Sequence, residues 1–150
     1  MAKRATSDLG KRRVGDLCMC FHMQRAARAL ARRFDEAFRP LGITNWQFTL
    51  LVVLKRDEPP PMGRIAKALS MDRTTLTAAL KPLERRGLVN VVADPDDKRT
   101  RLMAITAAGR ALLAEAMPIW RRVQGQIERE VADPDRLRAE LRALSQGEHA

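Results

Sequence analysis

Apolar residues along this chain recur first at a helical spacing, then at a strand spacing, then at a helical one again. Leu17, Phe21, Leu30, Phe34 and Phe38 fall near multiples of a helical turn and predict a helix over 14–38, stopped by Pro40 and Gly42. Thr44 is a candidate N-cap with Gln47 at capping-box spacing, and Ile43 and Phe48 stand where a hydrophobic staple needs them. That helix carries Leu50, Leu51 and Leu54 to about Arg56, before the stiff run Pro59-Pro60-Pro61. Met62, Ile65, Ala66 and Leu69 mark one buried face of a short helix. After a tight connection at Ser70 and Met71, Asp72 caps a further helix whose stripe is Leu76, Leu80 and Leu83, and Gly87 ends it.

The period then changes. Leu88–Ala93 is short and rich in valine, Asp94-Pro95-Asp96-Asp97 reads as a turn, and Arg101–Ile105 reads as the returning strand. Thr106 can cap an alanine-rich helix running to about Val131, with Pro118 expected to kink it. Asp133 followed by Pro134 starts a last helix, with Leu137, Leu141 and Leu144 on one face, that fades at Gly147. The expected fold is mostly α with a small β-hairpin. Residues 44–105 form a winged helix-turn-helix lobe within a single 14–146 domain, which a basic, flexible tail over 1–13 precedes.

Composition narrows the partner. The chain has 150 residues, 45% hydrophobic and 31% charged, with a net charge of +10, so a polyanion is the natural partner. Aromatics are only 4% and tyrosine is absent, which argues against stacking on single strands as the main activity. Lys3, Arg4, Lys11, Arg12 and Arg13 suit either a phosphate-touching arm or a solvated tail. No apolar run is long enough to span a bilayer, no secretory signal is evident, and two cysteines make no disulfide framework. A cytoplasmic protein without a membrane partner is therefore expected.

The helix after Asp72 carries the most informative surface. With the leucine stripe inward, Thr74, Ala78, Lys81 and Arg85 point outward, flanked by Thr75 and Thr77. Small hydroxyl and methyl groups suit base edges in the major groove, while Lys81 and Arg85 can reach phosphates and Arg73 either base or backbone. The hairpin tip adds Lys98, Arg99 and Arg101, cations suited to a narrow minor groove, with Asp97 placed to hold the Arg99 guanidinium by a bidentate pair. The plain alternative is an ordinary solvated face and a solvated tip.

The runs Asp97-Lys98-Arg99 and Ile105-Thr106-Ala107-Ala108-Gly109 resemble the wing signature of the MarR (multiple-antibiotic-resistance regulator) family. Met71-Asp72-Arg73-Thr74-Thr75-Leu76-Thr77 and Leu83-Glu84-Arg85-Arg86-Gly87-Leu88-Val89 resemble that family's recognition helix and its exit. The resemblance implies a homodimer built by helical segments 14–38 and 107–146, binding a pseudo-palindromic double-stranded operator. It implies Thr74, Thr75, Thr77 and Lys81 as groove-facing residues, Arg99 at the wing tip and Asp97 as its support. Ala78 departs from the long basic residue many members carry, and Pro82 sits inside the recognition helix, where it deletes a donor and is expected to bend the axis.

The same resemblance implies a repressor released by a small aromatic or anionic effector. Candidate lining residues are Phe21, Met23, Arg25, Trp46 and Phe48, each equally readable as packing. Cys18 and Cys20 are candidates for thiol-based redox sensing, although side chains two apart on a helix diverge by about 200° and a disulfide would need the helix to break. Cys18 and His22 can share a helical face that Cys20 cannot join, so no metal site is expected. No cofactor is expected, and no phosphate loop, nucleophile elbow or zinc-protease motif suggests an enzyme. A sequence-indifferent architectural DNA-binding protein is the nearest rival reading.

Overall fold

A computed structural model describes residues 14–146, so the basic tail and the predicted helix end at Gly147 lie outside the described residues. The chain divides into two compact units, one ending at Trp46 and the other beginning at Gln47.

In the first unit the helix expected over 14–38 is two helices, α1 (Val14–Leu17) and α2 (Met19–Phe38). Cys18 separates them with an extended backbone, φ −72° and ψ 106°, and its Sγ accepts the Phe21 N–H at 3.4 Å. It thus caps α2 instead of continuing α1, a role that hydrophobic spacing does not register. Phe34 and Phe38 are buried and stack with ring centroids 6.0 Å apart, whereas Phe21 and Leu30 of the same expected stripe stay exposed. A 3-10 turn over Arg39–Leu41 follows, closed by Gly42 in the left-handed region at φ 63°. Helix α3 (Asn45–Leu54) then opens one residue after Thr44, with the Asn45 N–H donating to Asp35 Oδ1 at 2.6 Å.

The second unit contains the rest of α3 and the helix-turn-helix. Leu50, Leu51 and Leu54 of α3 are buried, as are Ile65 and Ala66 of α4 (Met62–Ala68). The turn into α5 (Arg73–Arg85) contains Ser70 at φ 48°, a left-handed conformation held by Ser70 N–H to Lys67 O and Met71 N–H to Ala66 O. Leu76, Leu80 and Leu83 give α5 a fully buried stripe. Its C-terminus is a Schellman closure: Gly87 at φ 67° donates to Glu84 O at 2.9 Å, and Leu88 N–H donates to Leu83 O at 2.9 Å. Buried Leu83 and Leu88 supply the apolar residues that accompany this motif.

Strands β1 (Val89–Ala93) and β2 (Arg101–Ile105) pair antiparallel, with Val89 opposite Ile105 and Ala93 opposite Arg101. The Pro59-Pro60-Pro61 run lies along β2. Met103 N–H donates to Pro60 O at 3.1 Å, and Pro61 bridges Leu102. Proline tolerates this edge position because the bond uses its carbonyl, not a missing N–H. Helix α6 (Ala107–Arg129) is uninterrupted across Pro118, and α7 (Pro134–Gln146) follows, with Leu137, Leu141 and Leu144 all exposed. Arg138 of α7 pairs with Glu128 of α6 at 2.7 Å and with Asp135 at 2.6 Å. No helix among the described residues is long and apolar enough to cross a membrane.

Candidate nucleic-acid interface

Helix α5 exposes one face while its leucines hold the other in the core. Arg73, Thr74, Thr75, Thr77, Ala78, Lys81 and Arg85 are all exposed, as the spacing predicts. Their hydroxyls are not equivalent. Asp72 caps the helix by accepting the Thr75 N–H at 2.8 Å and the Thr75 hydroxyl at 2.6 Å. The Thr75 hydroxyl and N–H together hold the Asp72 carboxyl below its ordinary value, so it remains ionised beside the helix N-terminus. Thr77 donates to Arg73 O at 2.7 Å and lies 3.6 Å from Met62 Sδ. Among the described residues, the Thr74 side chain alone of the three has no partner within the protein.

The hairpin tip is built by two aspartates. Asp94 N–H donates to Thr100 O at 2.9 Å, and Asp94 Oδ1 accepts the Asp96 N–H at 2.9 Å. Asp97 Oδ1 accepts the Arg99 backbone N–H at 3.0 Å, Asp97 Oδ2 accepts the Thr100 hydroxyl at 3.0 Å, and Asp97 O accepts the Thr100 N–H at 2.8 Å. The expected bidentate pair between Asp97 and the Arg99 guanidinium is therefore replaced by an Asx turn. Asp97 shapes the loop's backbone and leaves the guanidinium unpaired. Lys98 and Arg99 on this loop and Arg101 at the start of β2 are all exposed.

The winged unit is tied together at the end of β2. Thr106 caps α6 by accepting the Gly109 N–H at 3.0 Å, and its hydroxyl donates to Gly87 O at 2.6 Å. One side chain thereby joins the end of α5 to the start of α6. Gly109 is buried, and a Cβ there would lie 2.2 Å from Leu88 O.

The remaining candidates are more scattered. Arg25 places its guanidinium 5.4 Å from the centroid of exposed Phe21, and Met23 and Trp46 are half-buried. Phe48 is buried and stacks on half-buried Trp120 with centroids 6.5 Å apart, a partner that the hydrophobic spacing of α6 did not single out. Cys18 is half-buried, and Cys20 is exposed with its Sγ 3.2 Å from Gln24 Nε2. His22 turns its ring toward Asp16 O at 3.3 Å and Phe21, and no cluster of metal-ligating residues occurs among the described residues. Sequence reasoning missed Thr100 and Gly63. An aspartate three residues before a threonine in a turn was the available signal for Thr100, and nothing in the pattern flagged Gly63.

Comparisons with known proteins agree on one family. The MarR family model matches residues 43–100. The crystal structure of the Mycobacterium tuberculosis transcriptional regulator MosR in complex with DNA is 40% identical, with a TM-score of 0.80 over 87% of this chain and 95% of that one. CouR from Rhodococcus jostii RHA1, crystallised with p-coumaroyl-CoA, is 25% identical, with a TM-score of 0.70 over 86% of this chain and 90% of that one. The organic hydroperoxide resistance transcriptional regulator of Bacillus subtilis is 26% identical over 131 residues, 87% of this chain and 89% of its own length.

Proposed function

The chain belongs to the MarR family of transcription regulators, and on that premise we propose that it is a homodimer that binds a pseudo-palindromic duplex operator as a repressor and is released by a small-molecule effector. The observation that carries the reading is the pairing of two exposed cationic surfaces on one winged unit, α5 with Arg73, Lys81 and Arg85 and the ordered tip with Lys98, Arg99 and Arg101. Helix α5 enters the major groove, where Thr74 is free to meet base edges, and the wing follows the minor groove. Thr75 and Thr77 approach DNA through their methyl groups, since their hydroxyls are engaged within the protein. Residues 44–105 serve as the DNA-binding lobe.

Segments 14–38 and 107–146 serve as the dimerisation region. The exposed leucines of α7 support this, because Leu137, Leu141 and Leu144 lie on one helical face that a second copy can cover. CouR was crystallised with an aromatic acyl thioester, and the effector here is of similar character, an aromatic or anionic molecule. Phe21, Met23, Arg25 and Trp46 of the first unit are the candidate contacts, and Phe48, buried against Trp120 in the second, is read as packing. Catalysis forms no part of this role, and the site of action is the cytoplasm, where the DNA is.

The interruption at Cys18 favours a second, compatible reading in which thiol oxidation is the releasing signal. An unbroken helix would hold Cys18 and Cys20 on diverging faces, but the extended backbone at Cys18 removes that constraint. A hydroperoxide would oxidise the two thiols to a disulfide and be reduced to an alcohol and water. The Bacillus subtilis relative, named for organic hydroperoxide resistance, is consistent with such a signal.

The test of the main reading is selection of bound duplexes from a random library at near-physiological salt. Enrichment of one inverted repeat with half-sites about one helical turn apart supports it. Strong, salt-sensitive binding without a shared motif makes the charge architectural and refutes it.

A further inference from the structure

A cleft of about 170 Å³ lies between α4, the start of α5 and the wing, lined by Met62, Gly63, Arg73, Arg99, Thr100 and Arg101. Three arginines from two elements distant in sequence thus border one small space. No described carboxylate pairs with any of their guanidiniums. Asp97 of the wing is committed to the Arg99 N–H and to Thr100. Like charges gathered without a counter-ion create a strong positive focus.

The walls of the cleft are held in place. Thr77 ties α5 to Met62 of α4. Met103 N–H to Pro60 O and the Pro61–Leu102 bridge tie the wing to the residues that lead into α4. Gly63 leaves the space in which Arg73 lies: a Cβ at position 63 would stand 3.0 Å from Arg73 Nη2 and 3.8 Å from Cζ. The backbone of Gly63 is helical and needs no glycine for its own conformation. An alanine there would favour the helix and would ask the Arg73 guanidinium to give by a few tenths of an ångström, whereas a larger side chain would take its place.

We propose that this cleft clamps a single DNA backbone phosphate between the recognition helix and the wing, and that Gly63 is the positioning residue that keeps Arg73 available to it. The proposal rests on the DNA-binding reading above. A phosphodiester carries two non-bridging oxygens, each able to accept charge-assisted hydrogen bonds from guanidinium groups. It would supply the charge the cleft lacks, at the strand that runs between the grooves occupied by α5 and the wing. Such a contact sets register and affinity without reading sequence.

The experiment measures binding of the selected duplex across a salt series for the wild type, Gly63→Ala, Gly63→Leu, Arg73→Ala and the double variant Gly63→Leu with Arg73→Ala. Arg73→Ala and Gly63→Leu are each expected to weaken binding about ten-fold. Each should also make the slope of log K against log salt shallower by about 0.9, the value for one lost phosphate. The double variant should be no worse than Arg73→Ala, because the leucine acts through the arginine. Gly63→Ala should melt higher than the wild type and bind slightly more weakly, by less than Gly63→Leu because its Cβ asks only a small shift of the guanidinium, which separates positioning from folding and serves if the leucine variant does not fold.

Wild-type slope and affinity in Arg73→Ala would overturn the clamp, and the same result in both Gly63 variants would overturn the positioning role, each leaving the regulator reading intact. A wild-type protein with no sequence preference would instead sink the regulator reading. Inorganic phosphate that binds in an Arg73-dependent way at constant ionic strength yet leaves operator affinity and salt slope unchanged would assign the cleft to a free anion and overturn the DNA clamp.

Discussion

The hydroxyl of Thr106 donates to the carbonyl of Gly87 at 2.6 Å, linking the residue that ends the recognition helix to the residue that caps α6. The same oxygen accepts the Gly109 N–H at 3.0 Å, and Thr106 N–H donates to Leu88 O at 3.1 Å. This arrangement gives the run Ile105-Thr106-Ala107-Ala108-Gly109 a physical meaning. Threonine supplies one hydroxyl to two chain ends, and glycine lets the first turn of α6 press onto the Leu88 carbonyl. The orientation of α5 relative to the wing depends on that close approach.

Gly109→Ala is therefore expected to destabilise the fold strongly. The added Cβ would lie 2.2 Å from Leu88 O and 2.8 Å from Ile105 Cγ1, one contact being with backbone that has little room to move. Overpacking of this kind costs about 3 kcal/mol. Denaturant melts of the two proteins measure it, and an unchanged midpoint would mean that the helix start can shift freely.

Acid should loosen the start of the recognition helix before neutral-pH stability is exhausted. The folded Asp72 carboxyl sits below its ordinary value, chiefly through the Thr75 hydroxyl and then the Thr75 N–H. A depressed carboxyl contributes stability that is full above its unfolded value and is lost as pH falls through the folded one. Asp72→Asn keeps a capping side chain but removes this titration. Its melting temperature should fall less than that of the wild type between neutral pH and about pH 3. Parallel pH profiles for the two proteins would place the acid sensitivity elsewhere.

Leu141→Asp should abolish dimerisation and operator binding together while leaving the helical circular-dichroism signal in place. Leu141 is 43% exposed in the single chain, so a charge there disturbs no core. Sedimentation gives the mass, and a mutant that remains a dimer would remove α7 from the interface.

If oxidation is the releasing signal, organic hydroperoxide should convert Cys18 and Cys20 to an intramolecular disulfide and weaken operator binding, with recovery on adding a dithiol. Mass spectrometry of the treated protein detects the bond. Cys20→Ser should bind the operator normally and ignore the peroxide. An oxidation response retained by that variant would exclude the pair as the sensor.

Much of this architecture was legible in the sequence because single residues announced it. Asp72, Gly87 and Thr106 mark helix ends by their chemistry, and the shift from leucine to valine spacing marks the hairpin. The exposed face of α5 followed from its buried stripe. What was not legible came from contacts between distant segments or from competing local bonds. The break at Cys18 depends on a thiol acting as a cap, where hydrophobic spacing alone reads a continuous helix. Asp97 was expected to take a guanidinium, but the backbone N–H two residues on and the Thr100 hydroxyl are nearer partners that need no long side chain to be ordered. The space at Gly63 exists because α5 returns across α4, which no local pattern encodes.

The most direct test of the central claim is a hydroxyl-radical footprint of the wild type and Arg99→Ala on the selected duplex. Protection should be two-fold symmetric, with the recognition helices about one helical turn apart and separate minor-groove protections from the wings. Arg99→Ala should lose the wing protections and bind more weakly while remaining a dimer. A wild-type footprint without two-fold symmetry, or one that Arg99→Ala leaves unchanged, would contradict recognition by paired α5 helices and wings.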